Sequence, residues 1–480
     1  MVMRLLQFTL LFPLAASSSS CAAHVTSAPD SANDANAPDR DALSNAIVDA
    51  KAPAEKNSEH GTSFASWLKA HIPESANAKI AGDPVKVTHT ISKGDTWPSI
   101  AKTYFPVSAA YTEEEFVQTL TKMKVKLEPG TSFEVPHLIK AIPDPKKDRL
   151  PWPKDRVMKG VFVTGPYAQI RWIDTLDHMA ERGMTAVVLD GKDYEGGVNY
   201  PTKAKVAVET GAYKHPFVPD LQRAIRVAHD RGIRVIMRIP CFHDPWAAEH
   251  APRLSIQGTW GKPFPMGWMD PMNMEAREYV LELVKEQIEA GADEIQLDYI
   301  RFPVHPGTEK AVLPKGSTGE RIKAIKEIVH TVHEVTQAAG VPLSLDLFGV
   351  TATGDRRNME QLGQDIAVLA PECEAISPMV YPSHYSNGYM GFEMPGDHPE
   401  IMGIGTKGAI EKLPAGSKTV IRSWLQAFPQ RSPSFGSGYI QKAVKSVEGA
   451  GGVGWLMWHP GCNYGATWGA FPKIAKKADE

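Results

Sequence analysis

Between residues 157 and 480 the chain alternates strand and helix signals eight times, and this rhythm limits the fold more than any other feature. Short aliphatic and β-branched runs mark the strands: Gly160–Thr164, Ala186–Asp190, Arg234–Ile239, Glu294–Tyr299, Leu343–Phe348, Ala375–Tyr381, Val420–Trp424 and Gly452–Trp458. Segments of helical period separate them. Several close on a glycine before the next strand, as at Arg182-Gly183, Arg231-Gly232, Ala290-Gly291 and Ala339-Gly340, the residue a left-handed helix cap favours. Eight such cycles in about three hundred residues predict the α/β class, and a (β/α)8 TIM barrel over a doubly wound sheet.

A chain of 480 residues exceeds one ordinary core, so a smaller unit is expected beside the barrel. Residues 1–21 carry Arg4, an apolar run from Leu5 to Ala16 and a small-residue stretch ending in Cys21. The run is too short to span a bilayer. It resembles a bacterial lipoprotein signal, which implies an exported protein lipidated at Cys21. Such a protein is held by a lipid anchor in the cell envelope; with ordinary signal cleavage it would be periplasmic or secreted. Residues 22–60, rich in Ala, Ser, Asp, Asn and Pro, read as a flexible tether. A Pro-rich linker at 141–156 separates a small unit at 61–140 from the barrel at 157–480.

The small unit contains VTHTISKGDTWPSIAKTYF and ends in LEPGTSFEVPHLI. Gly94, Asp95, Thr96, Ile100, Ala101, Gly130, Val135 and Pro136 make it resemble a LysM module, with Thr96 as a helix N-cap. The acidic stretch YTEEEF departs from that pattern, as does the lack of the family's usual Asn. The resemblance implies a small α+β fold that binds chains containing N-acetylglucosamine, with peptidoglycan as a contact; a mere spacer is the alternative. The remaining cysteines, Cys241, Cys373 and Cys462, have neither disulfide-framework nor metal-ligand spacing and read as buried thiols. With 52 Lys+Arg against 55 Asp+Glu, no basic excess points to a nucleic-acid partner.

Strand parity locates the chemistry, because working residues of such barrels lie at the carboxyl ends of the strands. In EIQLDYIRFP the aliphatics Ile295 and Leu297 face the helices, which turns Asp298 inward. In PLSLDLFG the same rule turns Asp346 inward, and in TAVVLDGKD it turns Asp190 inward, with Asp193 on the loop beyond. Arg238, Tyr381, Arg422 and Trp424 share the inward parity of their strands, and His243, Arg301, His384 and Trp458 follow near strand ends. Carboxylates, arginines and aromatics converging on one rim suit a polyhydroxylated ligand, whose ring faces stack and whose hydroxyls take charged hydrogen bonds.

The runs LDYIRFP, LDGKD, SLDLFG and SPMVYPSHY also resemble a family of glycoside hydrolase barrels long catalogued as a domain of unknown function, over about Gly160 to Gly465. That family is distantly related to the α-amylase and α-galactosidase barrels. In those relatives the nucleophile is an Asp ending the fourth strand, which implies that role for Asp298. Neighbouring strands lie about 4.8 Å apart, which favours the roughly 5 Å carboxyl separation of a retaining mechanism. Asp346 is then the acid/base, with Asp190 holding sugar hydroxyls or ordering Arg238, and with Asp190 or Asp193 as the acid in reserve. Arg301 is expected to lower the pKa of Asp298. Asp190, Asp193, Arg238, His243, Arg301, Tyr381, His384, Arg422, Trp424 and Trp458 are expected to line the substrate site.

The expected enzyme cleaves a cell-surface or matrix polysaccharide and needs no cofactor and no metal. A catalytically inactive glycan-binding protein is one alternative. Metal-dependent hydrolysis or deacetylation using Asp190, His243 and Asp244 is another, weakened by the lack of compact ligand spacing.

Overall fold

The computed structural model describes residues 63–304, 307–315 and 318–474. The signal segment, Cys21 and the tether lie outside the described residues.

Residues 63–140 enclose a core of their own, in which Leu68, Ile100, Ala101, Tyr104, Phe116, Leu120 and Phe133 are buried. Strands β1 (Ala78–Ala81), β2 (Lys86–Thr90) and β3 (Ser132–Glu134) form an antiparallel sheet in that order. Two helices, Trp97–Tyr104 and Glu113–Thr121, fill the excursion between β2 and β3. Thr96 caps the first by accepting from the Ser99 N–H in a reciprocal capping box. The acidic stretch becomes the first turn of the second, where Glu113, Glu114 and Glu115 complement the helix dipole.

Residues 158–474 hold nine parallel strands: β4 (Met158–Val163), β5 (Ala186–Asp190), β6 (Arg234–Pro240), β7 (Glu294–Asp298), β8 (Leu343–Phe348), β9 (Ala375–Met379), β10 (Val420–Ile421), β11 (Trp424–Gln426) and β12 (Gly454–Trp458). Their order is β10-β9-β8-β7-β6-β5-β4-β12-β11. The two ends of that order are pieces of one segment, interrupted only at Arg422 and Ser423. The sheet therefore curls until its ends meet, as in a TIM-like barrel. Helices between the strands cover the outside, several ending where the backbone turns left-handed; Gly232 and Gly340, at φ 69° and 66°, need no Cβ there.

The Pro-rich segment folds under the amino end of this barrel. Arg149 donates to the carbonyls of Ile288 and Ala339 at 2.5 and 3.1 Å. Trp152 Nε1 donates to Glu294 Oε2 at 3.0 Å, and Arg234 Nε to the Pro151 carbonyl at 2.7 Å. Cys241, Cys373 and Cys462 are free and buried. Among the described residues no helix is long and apolar enough to cross a membrane.

Candidate active site

The carboxyl ends of β5 to β8 bring three carboxyls onto one guanidinium. Asp190 pairs in register with Arg238 across β5 and β6. Asp298 and Asp346 each stand one residue beyond the paired Leu297 and Leu345 of β7 and β8. Arg238 Nη1 donates to Asp190 Oδ1 at 2.6 Å, and its Nε and Nη2 donate to Asp298 Oδ2 at 3.0 and 2.6 Å. Asp346 Oδ2 lies 3.8 Å from the same Nε. All four side chains are buried, Asp346 completely at 0% exposure and Asp298 and Asp190 at 3% each.

One cation cannot balance three buried anions, and the pKa pattern follows from that. Burial pushes Asp190 up to about 7 against the opposing pull of Arg238. Burial, then repulsion from Asp298, holds Asp346 well above the usual carboxylate range, with Arg238 and the Trp424 N–H pulling the other way. Trp424 Nε1 donates to Asp346 Oδ1 at 2.7 Å, while Asp346 Oδ2 is buried with no hydrogen-bond partner. Asp298, by contrast, has both oxygens served: Oδ1 accepts from the Tyr299 N–H at 2.6 Å. Tyr299 itself is left-handed, at φ 49°, a conformation costing a non-glycine residue roughly 1–2 kcal/mol. The site thus holds one carboxyl with donors on both oxygens beside one that burial pushes toward its protonated form.

Aromatic groups flank these acids on two sides. On one, Trp458 stacks on Tyr381 with centroids 5.2 Å apart, and Phe428 meets both edge-on. His384, exposed, sits 5.4 Å from the Tyr381 ring. On the other, the His243 ring packs 5.1 Å from Tyr299 and 5.2 Å from Trp268, its Nδ1 2.7 Å from the Tyr194 carbonyl oxygen. Burial lowers the pKa of His243.

Four residues make contacts that the sequence reading did not anticipate. Arg422 is fully buried and turns to the opposite end of the barrel, where it pairs with Glu294, the first residue of β7, above Trp152. The break between β10 and β11 falls at Arg422, so alternation along an unbroken strand does not describe it. Trp424, 1% exposed, is the hydrogen-bond donor to Asp346 and not an open sugar platform. Asp193 Oδ1 accepts from the N–H groups of Glu195 and Gly197 and so closes its own loop. Arg301 does not pair with Asp298; Arg238 does, while Arg301 lies over the rings of Trp268, Phe348 and Tyr299.

Sequence reasoning missed Trp268 and the strained Tyr299. Trp268 sits in the irregular stretch after the helix Pro245–His250, where no periodicity marks it. Asp244 is taken by Lys192, whose Nζ lies 2.8 Å from Asp244 Oδ2 and donates to the Pro240 carbonyl at 2.8 Å. Among the described residues no three His, Cys, Asp or Glu side chains are grouped to hold a metal ion.

A family model described as "Putative glycosyl hydrolase domain" matches residues 160–464. No curated protein matches the chain. Among solved structures, a hypothetical protein from Ruminiclostridium thermocellum is 31% identical, covering 39% of this chain and 96% of its own, with a TM-score of 0.35. The spore cortex-lytic enzyme SleL of Bacillus megaterium is 12% identical over 82% of this chain and 87% of its own, TM-score 0.41. An α-galactosidase from Thermus thermophilus is 14% identical over 65% of this chain and 60% of its own, TM-score 0.41.

Proposed function

The chain belongs to this glycosyl hydrolase domain family, and from that premise we propose that it is an exported, retaining glycoside hydrolase acting on a cell-surface or matrix polysaccharide. The observation that carries the mechanism is the sharing of Arg238 Nε by Asp298 and Asp346, at 3.0 and 3.8 Å. Two oxygens on one nitrogen lie no more than about 7 Å apart, short of most of the roughly 6.5–9.5 Å range of inverting enzymes. Asp298, cradled by Arg238 and the Tyr299 N–H, attacks the anomeric carbon as the glycosidic C–O bond breaks. Asp346, kept protonated by burial, gives its proton to the departing oxygen. Water then attacks the anomeric carbon, its proton passes to Asp346, and the ester electrons return to Asp298.

A second reading makes Asp190 the acid. It is favoured by the complete burial of Asp346 Oδ2 and by the pKa of about 7 at Asp190, close to that of an effective general acid. Tyr381, Trp458, His384 and His243 supply the sugar-contacting surface in either case. The residues before Ser63 give the reading its export: a lipidated Cys21 would hold the enzyme at an envelope membrane. The strand, two helices and strand of residues 86–134 support the LysM-like reading and with it a peptidoglycan contact.

The test is reducing-end release from a panel of bacterial polysaccharides by wild type, Asp298→Asn, Asp346→Asn and Asp190→Asn, with the first-formed anomer followed by NMR. Release with retained configuration, abolished in the Asp298 and Asp346 variants, is expected. Inverted product or an active Asp298→Asn overturns the mechanism, and an active Asp346→Asn beside an inactive Asp190→Asn moves the acid to Asp190.

A further inference from the structure

Arg301 is a buried cation with no ion-pair partner among the described residues, Asp298 acting on it only from a longer range. It is 7% exposed, and no carboxylate among the described residues lies within ion-pair distance of it. Arg238 and Arg422, buried to a similar degree, each have an acidic partner. The guanidinium lies 4.8 Å from the Trp268 ring centroid, 4.9 Å from Phe348 and 5.7 Å from Tyr299. Rings engage the faces of a guanidinium, whereas its N–H donors point along the edges. One of those donors, on Nη1, reaches the Phe302 carbonyl at 3.0 Å, and no other hydrogen bond from this side chain is found among the described residues.

The position of this unbalanced charge matters. Tyr299 links it to the site, since the residue that cradles Asp298 also presents its ring to Arg301 and to His243. Tyr299 and Phe348 are half-buried and reach the mouth of the barrel. Burial lowers the pKa of Arg301, the reverse of the effect at Arg238, where three carboxylates outweigh burial. Cation–π contacts return only part of what burying a cation without an ion-pair partner costs. An anionic group arriving with the ligand would supply the missing balance and accept two parallel N–H bonds from the fork.

We propose that Arg301 selects a sugar bearing an anionic group, a carboxylate or a sulfate, so that the substrate is an acidic polysaccharide. The inference rests on the glycosidase reading above and names the substrate class for that site. An acidic chain would meet the mouth with its ring faces on Tyr381 and Trp458 and its anionic substituent turned toward Arg301.

The test uses the mature protein and a panel of polygalacturonate, alginate, hyaluronan and chondroitin sulfate beside neutral β-glucan and chitin oligosaccharides. Cleavage is measured with wild type, and equilibrium binding with Asp298→Asn so that binding is read without turnover. Cleavage or binding confined to acidic polymers is expected, with KM or Kd at least tenfold weaker after carboxyl reduction or desulfation of the same polymer. Which of the two treatments weakens it tells carboxylate from sulfate. Arg301→Gln should remove that difference and Arg301→Lys restore part of it, each shown to be folded by thermal melting. A neutral polymer preferred by wild type, no acidic polymer bound by Asp298→Asn, or an Arg301→Gln variant that discriminates as wild type does would overturn the proposal. A neutral polymer cut by wild type and spared by Asp298→Asn would do so while leaving the glycosidase standing.

Discussion

At the scale of single residues, two carboxyls one strand apart are served unequally. Asp298 has donors on both oxygens; Asp346 has one donor and an orphaned oxygen. The Trp424 N–H favours the charged form of Asp346, so Trp424→Phe removes a force that lowers its pKa. If Asp346 is the acid, the alkaline limb of the kcat/KM profile moves to higher pH in this variant; an unmoved limb would point to Asp190. Asp346 also makes stability depend on pH. Its unfolded carboxyl titrates near 4 and its folded one well above, so wild type loses stability as pH rises through that window. Asp346→Asn lacks the group, and its melting temperature relative to wild type is expected to rise steadily from pH 4 to pH 8. Each unit of pKa elevation corresponds to about 1.4 kcal/mol.

At the scale of elements, one arginine ties the small unit to the barrel. Arg223, in the helix Leu221–His229, donates to the carbonyls of Phe105, Ser108 and Ala110 at 2.9, 3.1 and 2.7 Å and lies 4.0 Å over the Phe105 ring. Tyr111 adds a ring contact to Trp172 at 6.3 Å. Hydrogen bonds from a charged donor contribute roughly 1.5–3 kcal/mol each. Arg223→Ala is therefore expected to loosen the docking: faster amide exchange across residues 105–111 and earlier protease cleavage within 141–156. Unchanged exchange and cleavage would show that the Pro-rich segment alone holds the two units together. The spacing of that segment reads as a boundary, yet Arg149 and Trp152 pack it under the barrel floor.

For the whole molecule, the barrel separates chemistry at one end from structural charge at the other. Glu294 and Arg422 form a fully buried pair at the amino end, roofed by Trp152, while Asp298, four residues further along the same strand as Glu294, faces the mouth. Removing one partner of such a pair strands the other and costs about 3–5 kcal/mol. Arg422→Met should lower the unfolding free energy read from denaturant titration by that amount with KM for the polysaccharide unchanged, and Glu294→Leu added to it should recover most of the loss. A raised KM at unchanged stability would return Arg422 to the substrate site.

Much of the cluster was legible in the sequence, because side-chain alternation along a strand is a local property with period two. It turns Asp190, Arg238, Asp298 and Asp346 inward from the sequence alone, and the eight strand–helix cycles bring those strand ends to one rim. Beyond Asp190 ordering Arg238, the pairing of charges was not legible. Which carboxylate a long arginine reaches depends on neighbours distant in sequence: Arg238 reaches Asp190, Asp298 and Asp346, and Arg422, at a break in its strand, reaches Glu294. Trp424 as donor, Asp193 folded into its own loop and Arg301 stacked among rings are likewise contacts between segments. Local pattern determined which side chains enter the barrel; tertiary packing decided which carboxyl has donors on both oxygens, which is pushed toward its protonated form and which buried cation has no ion-pair partner among the described residues, because burial and distance set those energies and neither is written in any one segment.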